Sequence, residues 1–277
     1  MNLARNFKHR LKVISFLVMA VGFVIASKGN AQTVVLDWDS QSWPPTTPVP
    51  SGSVSREFET DSANSGNDIR ITISGNTPNL INQTPKTSTS VNGGTGQTAL
   101  WIAVDYPAGS FDSAVTVTIE FLYAQGVEDV IFKIFDIDAD DNGGSHYKDR
   151  IRDIYGNFNN AGTVYPDLTG SANNTVKNSG KSNATITGDT STSDTSSAAN
   201  GTLDYKGTTV DEAGFTYGTR DVKDPDAPTT QWIAIGDITY KKKVPEVGTS
   251  VVAILLCGGL IFFRPLARKW ARRNASS

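Results

Sequence analysis

Val115-Thr116-Val117-Thr118-Ile119-Glu120-Phe121 alternates apolar and polar side chains without a break. Successive side chains of a strand point to opposite faces, so Val115, Val117, Ile119 and Phe121 form one buried face. Ile69, Ile71 and Ile73 alternate in the same way with Arg70, Thr72 and Ser74. Val130-Ile131-Phe132-Lys133-Ile134-Phe135 is apolar on both faces except at Lys133, the pattern of a central strand. Further strands are expected at Val34 to Trp38, Val54 to Glu59, Ala99 to Val104, Leu203 to Tyr205, Phe215 to Tyr217 and Trp232 to Tyr240. No stretch between 32 and 243 carries a helical period. Short strands separated by Gly, Asn, Asp and Ser predict an all-β domain over residues 32–243, an antiparallel β-sandwich of jelly-roll type.

Two stretches of that domain are compositionally extreme. Trp43-Pro44-Pro45-Thr46-Thr47-Pro48-Val49-Pro50 is excluded from helices and inner strands by its prolines. Residues 170–202 are rich in Ser, Thr, Asn and Gly, which predicts a long polar loop with a short edge strand around Ala184 to Thr187. The domain holds 15 basic against 27 acidic residues, a net charge of −12, so it would repel nucleic acid. The chain's one cysteine, Cys257, lies outside it, which excludes a disulfide or a thiol nucleophile there.

Both ends of the chain differ from this middle. Arg5, Lys8, Arg10 and Lys12 precede an apolar run from Val13 to Ala26, and Gly29-Asn30-Ala31 offers small residues at a cleavage site. Residues 1–31 are therefore expected to be a signal peptide, cut by signal peptidase between Ala31 and Gln32. At the other end, residues 244–249 hold Val244-Pro245-Glu246-Val247-Gly248-Thr249. Residues 250–263 form the core of an expected transmembrane helix. From Val247 to Phe263 there are 17 uncharged residues, the lower limit for crossing a hydrocarbon core about 30 Å thick. Residues 264–277 carry Arg264, Arg268, Lys269, Arg272 and Arg273, a tail held on the cytoplasmic side by the positive-inside bias. Lys241, Lys242 and Lys243, on the expected outer side, run against that bias.

This order of motif, apolar run and basic tail resembles the bacterial PEP-CTERM sorting signal, with Val247 where the usual Val-Pro-Glu-Pro has its second proline. The resemblance implies an exosortase-type membrane protease acting at Val244, Pro245 and Glu246. It implies a transient inner-membrane intermediate, followed by delivery to the cell surface or extracellular matrix.

The sharpest chemical motif is Asp138-Ala139-Asp140-Asp141-Asn142-Gly143-Gly144-Ser145-His146-Tyr147-Lys148-Asp149. It spaces oxygen-bearing side chains at alternate positions, with glycines where the chain must turn, which is what calcium requires. The expected ligands are Asp136, Asp138, Asp140, Asn142, Gly144 (through its carbonyl) and Asp149. The flank Phe132 to Ile137 reads as strand, so this is a calcium loop between β elements rather than an EF-hand. An acidic hairpin turn is the competing reading. The segment Phe132-Lys133-Ile134-Phe135-Asp136-Ile137-Asp138 with Asp149-Arg150-Ile151, and the closing Gln231-Trp232-Ile233-Ala234-Ile235-Gly236-Asp237-Ile238, also resemble β-sandwich modules of bacterial surface proteins. That likeness implies a structural or calcium role for Asp136, Asp138 and Asp149 and no established activity.

No catalytic constellation is expected. The exported part has a single histidine, His146, too few for a zinc site. Gly93-Gly94-Thr95-Gly96 lacks the lysine of a phosphate-binding loop and reads as a turn. Trp38, Trp43, Trp101, Tyr147 and Tyr155 are the aromatic residues that could stack on sugar rings, or else fill the core. The sequence thus points to a structural, adhesive or carbohydrate-binding surface protein with extracellular polysaccharide as a partner. A secreted polysaccharide-active hydrolase and a permanently anchored ectodomain remain as alternatives.

Overall fold

The structure is a computed structural model, and it describes residues 31–47, 52–63, 66–106, 114–140, 147–159, 162–189, 196–219 and 230–243. The signal peptide up to Asn30, the sorting motif, the membrane helix and the basic tail lie outside the described residues. Among the described residues no helix is long and apolar enough to cross a membrane.

Seventeen strands follow one another along the described chain. They are β1 (Gln32–Leu36), β2 (Val54–Phe58), β3 (Ile69–Gly75), β4 (Lys86–Ser88), β5 (Ala99–Asp105) and β6 (Val115–Phe121). Then come β7 (Val127–Phe135), β8 (Ala139–Asp140), β9 (Tyr147–Asn157), β10 (Thr163–Val164), β11 (Asp167–Gly170) and β12 (Asn174–Lys177). The last are β13 (Thr185–Gly188), β14 (Gly201–Asp204), β15 (Thr209–Val210), β16 (Glu212–Thr219) and β17 (Thr230–Lys242).

The strands pair antiparallel in two sheets. The first runs β11-β14-β7-β17-β5-β4, with β1 on β17 and β15 on β7. The second runs β12-β13-β9-β16-β6-β3-β2, with β8 and β10 on β9. Their inner faces enclose one core. Ile69, Ile71, Ile73, Val117, Ile119 and Phe215 come from the second sheet; Leu100, Ile102, Phe132, Ile134, Ile233 and Ile235 come from the first. The alternating strands bury the faces expected of them. The strand holding Val130 to Phe135 lies between β14 and β17, inside its sheet as its apolar composition requires.

One expectation is corrected. Residues 170–202 are not one long polar loop: among the described ones, β12, β13, the start of β14 and a single 3-10 turn at Ser197–Ala199 are ordered elements. Thr185–Gly188 is buried throughout and lies between β12 and β9, so β12 takes the sheet edge that Ala184 to Thr187 was expected to form. The physical reason is that a strand's backbone pairs whatever its side chains are. Thr and Gly here bring hydrogen bonds and close approach in place of apolar bulk. Gly188 shows this directly, because a Cβ built on it would collide with the backbone of Asp138.

The two outer faces differ. On the second sheet the outward residues of β3 and β6 are polar. Arg70 bridges its neighbours Glu57 at 2.6 Å and Glu120 at 3.3 Å. On the first sheet the outward residues of β5 and β17 are Ala99, Trp101, Trp232 and Ala234, packed with Val91 and Phe135 into a second, smaller apolar cluster. Val35 and Ile131, 42% and 37% exposed, continue that face on either side of Thr239.

Candidate functional site

The acidic segment follows directly from the end of β7. Asp136, in a left-handed backbone conformation at φ 66°, and Asp138 flank the buried Ile137, whose N–H donates to the Ala199 carbonyl at 2.8 Å. Asp149, near the start of β9, closes the segment. Its backbone N–H donates to the Asp138 carbonyl at 2.8 Å. Its Oδ1 accepts from the Tyr217 hydroxyl at 2.8 Å, and its Oδ2 accepts from Asp138 N at 3.4 Å. All three aspartates are at most 2% exposed. Burial pushes the Asp149 carboxyl well above the usual carboxylate range, and the charges of Asp138 and Asp136 push it further the same way.

The structure therefore brings together three of the six expected ligands. Asp140 stands in β8, paired across from Tyr147 of β9, and is half-exposed. Asn142, Gly144 and His146 lie outside the described residues. The segment is flanked by strands, β7 ending at Phe135 within the stretch Phe132 to Ile137 expected as strand. Among the described residues no group of three His, Cys, Asp or Glu side chains is placed to hold a metal ion. With both oxygens of Asp149 already accepting hydrogen bonds, the described carboxylates alone do not make a calcium cage.

The aromatic residues singled out as sugar-stacking candidates divide by location. Trp38 is buried, donates its indole N–H to the Gly236 carbonyl at 3.0 Å, and meets Phe58 edge to face at 5.3 Å. Trp43 is buried against the same Phe58. Tyr147 and Tyr155 are half-buried. Trp101, on the outward face of β5, is likewise half-buried, with the Lys86 ammonium over its ring, 4.8 Å from the centroid.

Trp232, half-buried on the outward face of β17, was not among those candidates. A signal for it exists in the sequence. Trp101-Ile102-Ala103-Val104 and Trp232-Ile233-Ala234-Ile235 have the same pattern, and β5 and β17 pair antiparallel so that Trp101 faces Ala234 and Ala103 faces Trp232. Each indole thus lies across the pairing from an alanine. The two rings are diagonal neighbours on one face, at a backbone spacing of about 7–8 Å. Phe135, next along the row from Ala234, is buried beneath the loop carrying Gly93. Gly93 adopts φ 58°, and a Cβ there would meet the Phe135 ring and the Asn200 amide.

Fold and site together define an all-β, two-sheet unit with a buried acidic corner and a second, smaller apolar cluster on the outer side of one sheet. No protein-family model and no curated protein matches the chain. The solved structures similar to it include the following two. One is the carbohydrate-binding module TmCBM27, described for its recognition of mannan. It shows 13% identity and a TM-score of 0.32, with 77% of this chain and 100% of that one covered. The other is the N-terminal domain of the Streptococcus gordonii adhesin Sgo0707, with 12% identity and a TM-score of 0.33. There 79% of this chain is covered, and this chain spans 58% of that one. At these values neither likeness says what this chain binds.

Proposed function

We propose that residues 32–243 are the ectodomain of an exported bacterial surface or matrix protein. It is delivered by signal peptidase at Ala31 and Gln32 and then by an exosortase-like protease at Val244, Pro245 and Glu246. The role is structural or adhesive, with extracellular polysaccharide as the partner class. The observation that carries this reading is the pairing of the first and last strands. Gln32 is in register with Lys242, so the compact unit Gln32–Lys243 has both of its ends side by side at one end of β17. A domain with that arrangement can be exported, held by its C-terminal side and cut free without disturbing its core.

The three lysines that run against the expected topology support it. Lys241, Lys242 and Lys243 form ion pairs with Asp129, Asp61 and Glu128 at 2.7, 2.6 and 3.1 Å. Their charge is thereby committed to the folded unit rather than to a membrane surface. The acidic corner is the reading's calcium site: Asp136, Asp138 and Asp149 are crowded and buried, and Asp140, Asn142 and Gly144 would supply the further oxygens.

The test is the mass of the mature protein from its own host, with peptide mapping of both ends. A chain from Gln32 to the neighbourhood of Val244–Val247, alone or with an added mass, is the expected result. A chain still ending at Ser277 and released only by detergent overturns the sorting step and leaves a permanently anchored ectodomain.

A further inference from the structure

We propose that Lys242 and Asp61 condense into an intramolecular amide, a covalent cross-link between the two sheets. This goes beyond the ectodomain reading and rests on it only for biological setting. The Lys242 Nζ lies 2.6 Å from Asp61 Oδ2, and 181 positions of chain separate the two residues. Their side chains are 21% and 3% exposed. The neighbouring pairs Lys241–Asp129 and Lys243–Glu128 are at least 30% exposed on both sides, as ordinary surface ion pairs are. Lys242–Asp61 instead takes its carboxylate out of water, a cost that mutual attraction repays poorly. Condensation removes both charges at once.

The surroundings suit that step. Asp68, fully buried, accepts the N–H of Asp61 at 2.7 Å and that of Thr60 at 2.8 Å, which fixes the turn carrying Asp61. Asp61 Oδ1 accepts the N–H of Ala63 at 3.1 Å. The Tyr123 ring flanks the ammonium, its centroid 5.8 Å from Nζ. The Tyr240 hydroxyl, bonded to Thr60 and Tyr123, feels the charges of both Asp68 and Asp61.

The reaction balances within the pair. One ammonium proton passes to Oδ2, leaving a neutral amine and a carboxylic acid. Nζ then bonds to Asp61 Cγ, and negative charge gathers on Oδ1, where the Ala63 N–H already points. The Cγ–Oδ2 bond breaks, and Oδ2 departs as water with the proton it took and a second one from the nitrogen. An uncharged amide remains, and no oxidant or cofactor is consumed. Enforced contact supplies an effective concentration of about 10⁵–10⁸ M, which favours condensation even beside bulk water.

The position of the link gives its consequence. Lys242 is the last residue of β17 in the first sheet, and Asp61 follows β2 at the edge of the second. In an ectodomain held by its C-terminal side, tension enters along β17. The amide passes it to the second sheet rather than leaving it on the hydrogen bonds of the first.

The experiment is intact mass and tryptic mapping of the full-length chain, purified in detergent and denatured. The expected result is a chain about 18 Da lighter than the sequence between its mapped ends, the mass of one water. Residues 57–70 should be recovered joined to Lys242-Lys243, because trypsin does not cut after an acylated lysine. Lys242→Arg and Asp61→Ala should each restore the full mass. In denaturing gels the cross-linked wild type, closed into a loop, should run ahead of both variants. Its thermal midpoint should lie above that of Lys242→Arg, which can keep the ion pair.

Either of two results overturns the proposal. One is a chain at full mass with residues 57–70 recovered only unlinked. The other is a mass loss that Lys242→Arg keeps, which would assign it to an unrelated dehydration. Folding of the variants does not decide the matter, because the mass of the wild type is the primary reading. Sorting is read independently from the mature C-terminus, so a missing cross-link and a failed exported-surface reading are distinguishable.

Discussion

Asp68 is fully buried, and its Oδ2 collects three donors: Thr60 N at 2.8 Å, the Thr60 hydroxyl at 3.2 Å and Asp61 N at 2.7 Å. A buried donor deprived of its acceptor costs more than an average hydrogen bond contributes. Asp68→Ala is therefore expected to destabilise the domain by about 3 kcal/mol, read as a lower urea midpoint at unchanged slope. A midpoint equal to wild type would show that water takes over the acceptor role. Asp129 makes a different kind of contribution. Its hydrogen bond to Lys241, helped by the Gly207 N–H, holds its carboxyl below the usual carboxylate range. A depressed folded-state pKa adds stability above the unfolded value and loses it as pH falls through the folded one. Asp129→Asn should therefore be slightly less stable than wild type near pH 7, with the difference closing below about pH 4. A difference that persisted unchanged in acid would show that the pair does not titrate as described. At this scale the fully buried tryptophans and the half-buried ones look alike in sequence. Residue type fixes how large a ring is, whereas the strand on which it stands decides what covers it.

Ile119 sits in β6, flanked by β3 and β16, with no exposed surface. Ile119→Ala leaves a cavity in the middle of the core and is expected to cost about 2–5 kcal/mol, checked by the thermal midpoint. A loss under about 1 kcal/mol would mean that the sheets close over the gap. Gly188→Ala acts at an element contact rather than in the core. The added methyl must push β13 away from the backbone of Asp138, so near-ultraviolet signals from Tyr217, bonded to Asp149, should shift along with a loss of stability. An unchanged spectrum would show that the methyl is absorbed elsewhere.

The long alternating strands were legible because their burial follows a strict period of two. β9 was not, although it spans Tyr147–Asn157. Its core-facing set reads Asp149, Ile151, Ile154 and Gly156. The alternation slips by one at Asp153, which has φ 50°. The partner strand β16 shifts register between Gly214 and Thr216. An extra residue in a strand moves the following side chains to the other face, so no simple period survives in the sequence. β13 was expected as a short edge strand around Ala184 to Thr187, but its place inside the sheet between β12 and β9 was not, because its pairing uses backbone and small side chains that composition scores as loop.

At the scale of the whole molecule, the acidic corner joins three segments far apart in the chain. Asp136 and Asp138 lie after β7, Asp149 in β9, and Gly188 in β13 against them. If the corner takes calcium with a Kd near 1 mM, calcium at about 10 mM should stabilise the fold by about 1.4 kcal/mol, seen as a thermal midpoint raised by a few degrees. Magnesium, which demands stricter octahedral geometry, should do less. An unchanged midpoint at that concentration removes calcium from the proposal and leaves an acidic turn stabilised by Tyr217.

The all-β class, the alternating strands and their inward faces follow from the sequence alone, because they depend on local period and on which side chains leave water. So does the spacing of Asp138, Asp140 and Asp149 along the chain. The tertiary structure alone decided that Gln32 lies beside Lys242, that Lys241 to Lys243 are paired with Asp129, Asp61 and Glu128, and that Trp101 and Trp232 share a face. Each of these joins residues far apart in the chain. The register of β17 against β1, β5 and β7 sets all of them except the Lys242–Asp61 pair, where Asp61 follows β2 of the other sheet, and register is fixed by packing between sheets, which no local pattern contains.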